Sequence, residues 1–207
     1  MPVISFILIS LWKKIEYWDQ SAFLAVNRSG ANSFFDSIMP WIREANFWAP
    51  LYLFMIVFAV CNFKWKGWLW VLIFIATISL SDTISSHWMK DWFERLRPCQ
   101  DPFFSRYIYF RVKYCPGSFS FPSSHAVNHF TMASYIYTTG KMFGKWMKLF
   151  FVWAAIIAYA QIYVGVHYPL DVLGGTLIGL MIGSVAGNMF NRYFPLDAGM
   201  IAKDLKH

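Results

Sequence analysis

Three short clusters hold most of the side chains in this 207-residue chain that could do chemistry. The first is Lys90-Asp91-Trp92-Phe93-Glu94-Arg95-Leu96-Arg97-Pro98, with a lysine followed after six residues by Arg-Pro. The second is Phe121-Pro122-Ser123-Ser124-His125 and the third Gly165-Val166-His167-Tyr168-Pro169-Leu170-Asp171. Proline with serine, and proline with an acid in the first turn, both mark helix starts. Caps alone do not explain why two of the five histidines, His125 and His167, stand inside those starts. A helix start offers free backbone N–H groups and a positive dipole end, which together favour phosphate. Ser123 and Ser124 add hydroxyl donors, and Lys90 and Arg97 supply charge-assisted hydrogen bonds.

Such an anion site becomes an enzyme once it has a nucleophile and an acid, and two imidazoles can divide those roles near neutral pH. His167 and Asp171 are four residues apart, so on a helical turn the carboxylate reaches one ring nitrogen. That fixes the tautomer and leaves the other nitrogen to attack phosphorus. His125 is then the general acid for the leaving alcohol. An alternative with His125, His129 and Asp171 as metal ligands uses the same residues, although His129, one turn below His125, reads more simply as a core histidine.

In this order the three clusters resemble the signature motifs of the type 2 phosphatidic acid phosphatase family, membrane-embedded lipid phosphatases whose active-site architecture is shared with vanadium haloperoxidases. The resemblance covers residues 90–171. It implies Lys90, Arg97, Ser123 and Ser124 as phosphate ligands, His125 as acid, His167 as nucleophile, Asp171 as its orienter, and no metal or other cofactor. Two positions depart from the pattern. Ser124 stands where the family has glycine, and Ala160-Gln161 stands where it has Ser-Arg. Gln161 can hydrogen-bond phosphate but carries no charge, and bonds to charged groups contribute roughly 1.5–3 kcal/mol. Arg95, Arg106, Arg111 and Lys113 are the candidates for supplying the missing cation.

The elements that must position these residues are apolar. Of the residues, 57% are hydrophobic and 14% charged, against about 25% charged in soluble domains. Long windows nearly free of charge predict spans at 46–62, 68–87, 122–140, 148–166 and 169–190. The expected fold is thus an all-α, polytopic membrane bundle of about five transmembrane helices, a single domain over residues 1–207. Residues 1–12 are too short to span before Lys13 and Lys14, and 21–44 mix apolar and charged residues, so 1–45 reads as an interfacial segment. Gly175, Gly179, Gly183 and Gly187 put a smooth stripe on the last span for close helix packing.

Residues 88–121 form a polar excursion with nine charged residues. Lys64, Lys66, Lys141, Lys145, Lys148, Arg192, Lys203 and Lys206 place the other connections in the cytoplasm. The excursion and the His167 turn then face outward, toward the periplasm or exterior of a bacterial inner membrane. In that oxidising setting Cys99 and Cys115 can form a disulfide, while Cys61 reads as a buried small hydrophobe.

The net charge of +7 comes from scattered Lys and Arg with no basic stripe, which argues against nucleic acid and fits contact with anionic lipid. The expected partners are the bilayer and a lipid phosphate substrate. The leading reading is a metal-independent membrane phosphatase, cleaving a lipid phosphomonoester or diphosphate through a phosphohistidine. A lipid phosphotransferase and a lipid-phosphate-binding protein or transporter that lost turnover at position 161 remain open alternatives.

Overall fold

A computed structural model describes residues 2–196, with side chains from residue 10 onward. Lys203 and Lys206, counted above toward the cytoplasmic charge, lie outside the described residues. The described residues hold seven α-helices with short π and 3-10 turns: α1 (Pro2–Leu24), α2 (Ser33–Ile42), α3 (Ala49–Thr83), α4 (Lys90–Phe93), α5 (Ser124–Thr139), α6 (Leu149–Tyr163) and α7 (Pro169–Tyr193), with an irregular segment between α4 and α5 broken only by a 3-10 turn at Phe104–Tyr107.

Among the described residues, three stretches are long and apolar enough to cross a membrane: Ala45–Phe93, Lys141–Tyr163 and Pro169–Tyr193. The first is not one rod. Lys64 leaves the helical region at φ 54°, ψ −128°, and Gly67 lies against the carbonyl of Ala59, eight residues back. A continuous helix would separate those two residues by about 12 Å along its axis. α3 is therefore a hairpin, and its two arms correspond to the expected spans at 46–62 and 68–87.

The second arm ends later than expected. A π turn over Ile84–Met89 carries it into α4, which stops only at Glu94 in the left-handed region (φ 47°). Lys90 is thus on a helix rather than in the excursion.

α7 shows how the bundle is solvated. Leu173, Leu177, Met181, Val185 and Met189 form an exposed apolar stripe, while Gly175, Gly179, Gly183 and Gly187 are buried on the opposite face. Apolar residues outside and small residues inside are what lipid solvation with close helix packing demands. The partner of the glycine stripe is α5. A Cβ on Gly175 would lie 2.7 Å from the carbonyl oxygen of Ser123, and those on Gly179 and Gly183 would strike the carbonyls of Val127 and Thr131. Gly179→Leu should force the two helices apart at a cost of at least about 1–3 kcal/mol, read as a lower unfolding midpoint in detergent.

α5 has 16 residues, twelve of them buried, shorter than the roughly 20 a spanning helix takes. The expected span at 122–140 is a central helix surrounded by α3, α6 and α7. Its Tyr135 is fully buried against Trp70, Phe74 and Phe190.

α1 runs without a break from Pro2 to Leu24, through the exposed Lys13-Lys14 pair. One expectation about a single feature needs correction: Cys61 is not buried but exposed, pointing outward from the first arm of α3.

α2 is clamped onto α6. Asn32 caps it by accepting from the Phe35 amide at 2.9 Å, and the Tyr163 hydroxyl donates to Asp36 Oδ1 at 2.6 Å. Met39 packs with Ala160, Tyr163 and Val164.

Candidate active site

Side chains from five parts of the chain converge on one cavity of about 480 Å³, where α2, the end of α3, the excursion, α5 and α6 meet. Lys90, Arg97, Ser124, His125, Gln161 and His167 line it together with Arg43 and Ser118. All three sequence clusters therefore reach a common space, although Ser123 does not line it. Its hydroxyl accepts from the Ala126 amide at 3.5 Å as the N-cap of α5, and its amide donates to the Asp171 carbonyl at 3.0 Å.

His167 is held at the tip of the α6–α7 turn. Gly165 sits at φ 93°, a conformation side chains resist, and this turn brings the imidazole back beneath Arg97. Arg97 Nη1 donates to His167 Nε2 at 2.9 Å. A guanidinium has no acceptor, so Nε2 must carry the lone pair and Nδ1 the proton. The other side of the ring agrees with this tautomer, because Nδ1 is 3.3 Å from Ser120 Oγ and the Ser120 hydroxyl donates to Asp171 Oδ2 at 2.5 Å. Burial, opposed by Asp171, pushes the His167 pKa down to about 3. The ring is neutral at pH 7, with its lone pair facing the cavity.

Asp171 orients His167 less directly than the four-residue spacing suggested. Its Oδ2 is 3.6 Å from Nδ1, beyond hydrogen-bond length, and Ser120 bridges the gap. The carboxylate also accepts from the Tyr168 amide at 2.8 Å, which closes the first turn of α7, and from Arg95 Nη1 at 2.6 Å. Arg95 uses its other terminal nitrogen on Asp19 of α1, and Asp19 in turn accepts from the Leu170 amide at 2.9 Å.

Asp19 and Asp171 are both fully buried at their carboxyl groups, so Arg95 neutralises two charges that would otherwise be expensive. Burial works against the Arg95 charge, yet the two carboxylates outweigh it and raise its pKa. Burial also raises the Asp19 pKa, against the Arg95 hydrogen bond.

Arg97 is 3% exposed. Ser118 fixes it twice, accepting Nε at its carbonyl at 2.7 Å and Nη2 at its hydroxyl at 3.0 Å. Lys90 Nζ donates to the same hydroxyl at 3.4 Å. Burial lowers the Arg97 pKa to about 10, with Asp171 opposing and the nearby Arg43 charge adding to the fall. Both groups remain cationic at neutral pH and present donors to the cavity. The excursion that supplies Arg95, Arg97, Ser118 and Ser120 is tied by a Cys99–Cys115 disulfide. Gln100 also donates to the Pro116 carbonyl at 2.8 Å.

His125 faces the cavity one turn above His129. The His129 Nδ1 donates to the His125 carbonyl at 2.8 Å, and its ring packs edge-on against Trp153. His129 is thus a packed core residue. With the Asp171 oxygens already taken, His125, His129 and Asp171 do not converge, and no three His, Cys, Asp or Glu side chains among the described residues form a metal-holding set.

The candidates for replacing the charge missing at Gln161 also fall elsewhere. Arg95 is held by its two carboxylates, Arg106 donates to the Pro102 carbonyl, and Arg111 binds Asp36 together with backbone carbonyls. Lys113 is exposed, and none of the four lines the cavity.

Fold and site together define a helical membrane protein with a cationic pocket around two histidines. The PAP2 superfamily model matches residues 67–194, and the chain belongs to that family. It is 31% identical over 150 residues to a lipid A 4'-phosphatase of Bacteroides thetaiotaomicron, covering 70% of this chain and 65% of that protein. It is 30% identical over 126 residues to phosphatidylglycerophosphatase B of Bacillus subtilis, covering 57% and 55%. The chain spans less than two thirds of the length of either relative. Among solved structures, a transmembrane PAP2-type phosphatidylglycerolphosphate phosphatase of Bacillus subtilis superposes with a TM-score of 0.62 at 22% identity, covering 92% of this chain and 96% of that one. That likeness is one of fold.

Proposed function

We propose that this integral membrane protein hydrolyses a phosphate ester or diphosphate of a lipid by way of a phosphohistidine on His167. The observation that carries this reading is the neutral His167 ring, with its Nε2 lone pair turned into the cavity against Arg97. A phosphate entering the cavity would draw the Arg97 and Lys90 donors onto its own oxygens and so release that lone pair.

Nε2 then attacks phosphorus as the bond to the lipid oxygen breaks, and His125, protonated once the negative charge of the bound phosphate stands beside it, gives its proton to that oxygen. In the second half, His125 takes a proton from water as the water oxygen attacks the phosphoryl group. The P–N bond breaks, its electron pair returns to Nε2, and inorganic phosphate leaves. Throughout, Ser120 and Asp171 hold the Nδ1 proton in place and stabilise the positive charge the ring carries while phosphorylated.

The substrate class follows from the setting. The cavity opens among membrane helices, so its phosphate is carried on a lipid, and the relatives' names point the same way, toward phosphorylated lipid A and phosphatidylglycerophosphate. Phosphatidate and polyprenyl diphosphate fit the same chemistry. The reading places residues 1–45 at the interface and the site on the outer side of a bacterial inner membrane, supported by the disulfide in the excursion.

The test is phosphate release by the purified full-length chain in detergent, on a panel of these lipid phosphates, with and without a chelator. Release from at least one lipid, unchanged by chelator, is expected. Binding without release would favour a lipid-phosphate-binding protein, and loss of release with chelator would overturn the metal-independent mechanism.

A further inference from the structure

The cavity contains a cation that none of the three motifs supplies. Arg43 follows the last residue of α2 and reaches into the same lining as Lys90, Arg97, His125 and His167. Its side chain is 12% exposed, and its Nε is buried with no hydrogen-bond partner. Among the described residues its ion-pair partner is Glu44, 3.4 Å from Nη1 and 57% exposed at its side chain, the kind of pair that contributes little.

Facing the same space is Gln161, which is fully buried with both amide atoms unpartnered. An unpaired buried amide and an unpaired buried guanidinium nitrogen each cost free energy. Finding both in one cavity points to a missing ligand with several oxygens, accepting from the guanidinium and the amide NH₂ and offering one P–OH to the Gln161 Oε1.

α2 cannot swing Arg43 away without breaking its clamp on α6. Met39 packs on Ala160, the neighbour of Gln161. The Ile42 carbonyl accepts the Trp48 indole N–H at 2.7 Å, fixing the chain on both sides of Arg43.

We propose that Arg43 is a phosphate ligand of this site, entering from α2 to supply the charge that the third motif places at position 161, while Gln161 hydrogen-bonds the same phosphate as a neutral ligand. This rests on the phosphatase reading for its ligand and adds a fourth element to the site, outside residues 67–194 that match the family. The charge has moved from α6 to α2, so three cations still face the phosphate.

The experiment measures the dissociation constant of inorganic phosphate, and separately lipid phosphate release, for the full-length wild type, Arg43→Ala, Arg43→Lys, Gln161→Arg and the double variant Arg43→Ala/Gln161→Arg. The detergent unfolding midpoint of each confirms that it is folded. Arg43→Ala should weaken phosphate binding by about tenfold to a hundredfold, with Arg43→Lys intermediate. Gln161→Arg in the alanine background should recover most of the loss, a rescue that a purely structural role for Arg43 would not produce.

Unchanged phosphate binding in folded Arg43→Ala, or no recovery in a folded double variant, would overturn the proposal. Phosphate binding that depends on Arg43 in a wild type releasing phosphate from no lipid would uphold Arg43 as a ligand and remove the phosphatase reading. The two can therefore fail separately.

Discussion

His167→Ala should lower the turnover of lipid phosphate by at least about 10⁴-fold, because removal of a covalent nucleophile leaves only the contributions of binding and charge. The loss should fall on kcat. Phosphate affinity should change little, since Lys90, Arg97 and the Arg97 anchor on Ser118 stay in place. Arg97 Nη1 also keeps an acceptor in the Val166 carbonyl at 3.1 Å, so the guanidinium is not stranded and the variant should fold. The split between kcat and affinity separates this account from one in which His167 merely lines a binding pocket. In that case binding would fall and any residual turnover would fall with it. Turnover by His167→Ala near the wild-type rate, measured by phosphate release on the best lipid of the panel, would remove the nucleophile.

Asp171→Asn has the second-largest expected effect, about 10³–10⁴-fold in kcat, by analogy of role with the buried aspartate of a Ser-His-Asp triad. The mechanism is a chain of proton positions. The Ser120 hydroxyl donates to Asp171 and so offers its lone pair to the His167 Nδ1 proton. An amide at 171 can turn its NH₂ toward Ser120, reverse that hydroxyl and favour the tautomer with the proton on Nε2, the wrong atom for attack. The same change unbalances Arg95, which is shared between Asp171 and Asp19. Breaking a buried pair of this kind costs about 3–5 kcal/mol, so the unfolding midpoint should fall as well. Asp19→Asn supplies the control. It disturbs Arg95 without touching Ser120, and should lower stability comparably while leaving most of the turnover. If the two variants lost turnover equally, Asp171 would be acting through packing alone.

The fold was legible where apolar length and short-range punctuation determine structure. Charge-free windows located the arms of α3, α6 and α7, and the glycine stripe announced a close helix partner. The apolar window at 122–140 located α5, but not its central place in the bundle, because its burial comes from surrounding helices, which periodicity does not encode. The Lys64 reversal was legible as the gap between two charge-free windows, which holds Lys64, Lys66 and Gly67.

At the site, the motifs located Lys90, Arg97, His125, His167 and Asp171 because their roles depend on local helix starts and fixed spacing. Ser123 was assigned to phosphate on its residue type, and the cap it forms uses the same hydroxyl. Asp19, Arg95, Ser118 and Ser120 were given no such role because their partners are distant in sequence, with 76 residues separating Arg95 from both Asp19 and Asp171. Arg43 carries no local signal for the same reason. One signal does point to it: a charge missing at 161 in an otherwise intact site implies a charge gained elsewhere, and α2 lies outside the excursion whose cations were the sequence candidates.

The most direct test of the phosphohistidine on His167 is to trap it. The purified protein is mixed with a radiolabelled lipid phosphate, quenched in alkali within one turnover, digested and mapped. The account predicts a phosphoryl group that is stable in base and labile in acid, on the peptide containing His167, and absent from His167→Ala. Release of labelled phosphate at the wild-type rate with no label on His167, or with the label on another residue, would contradict it.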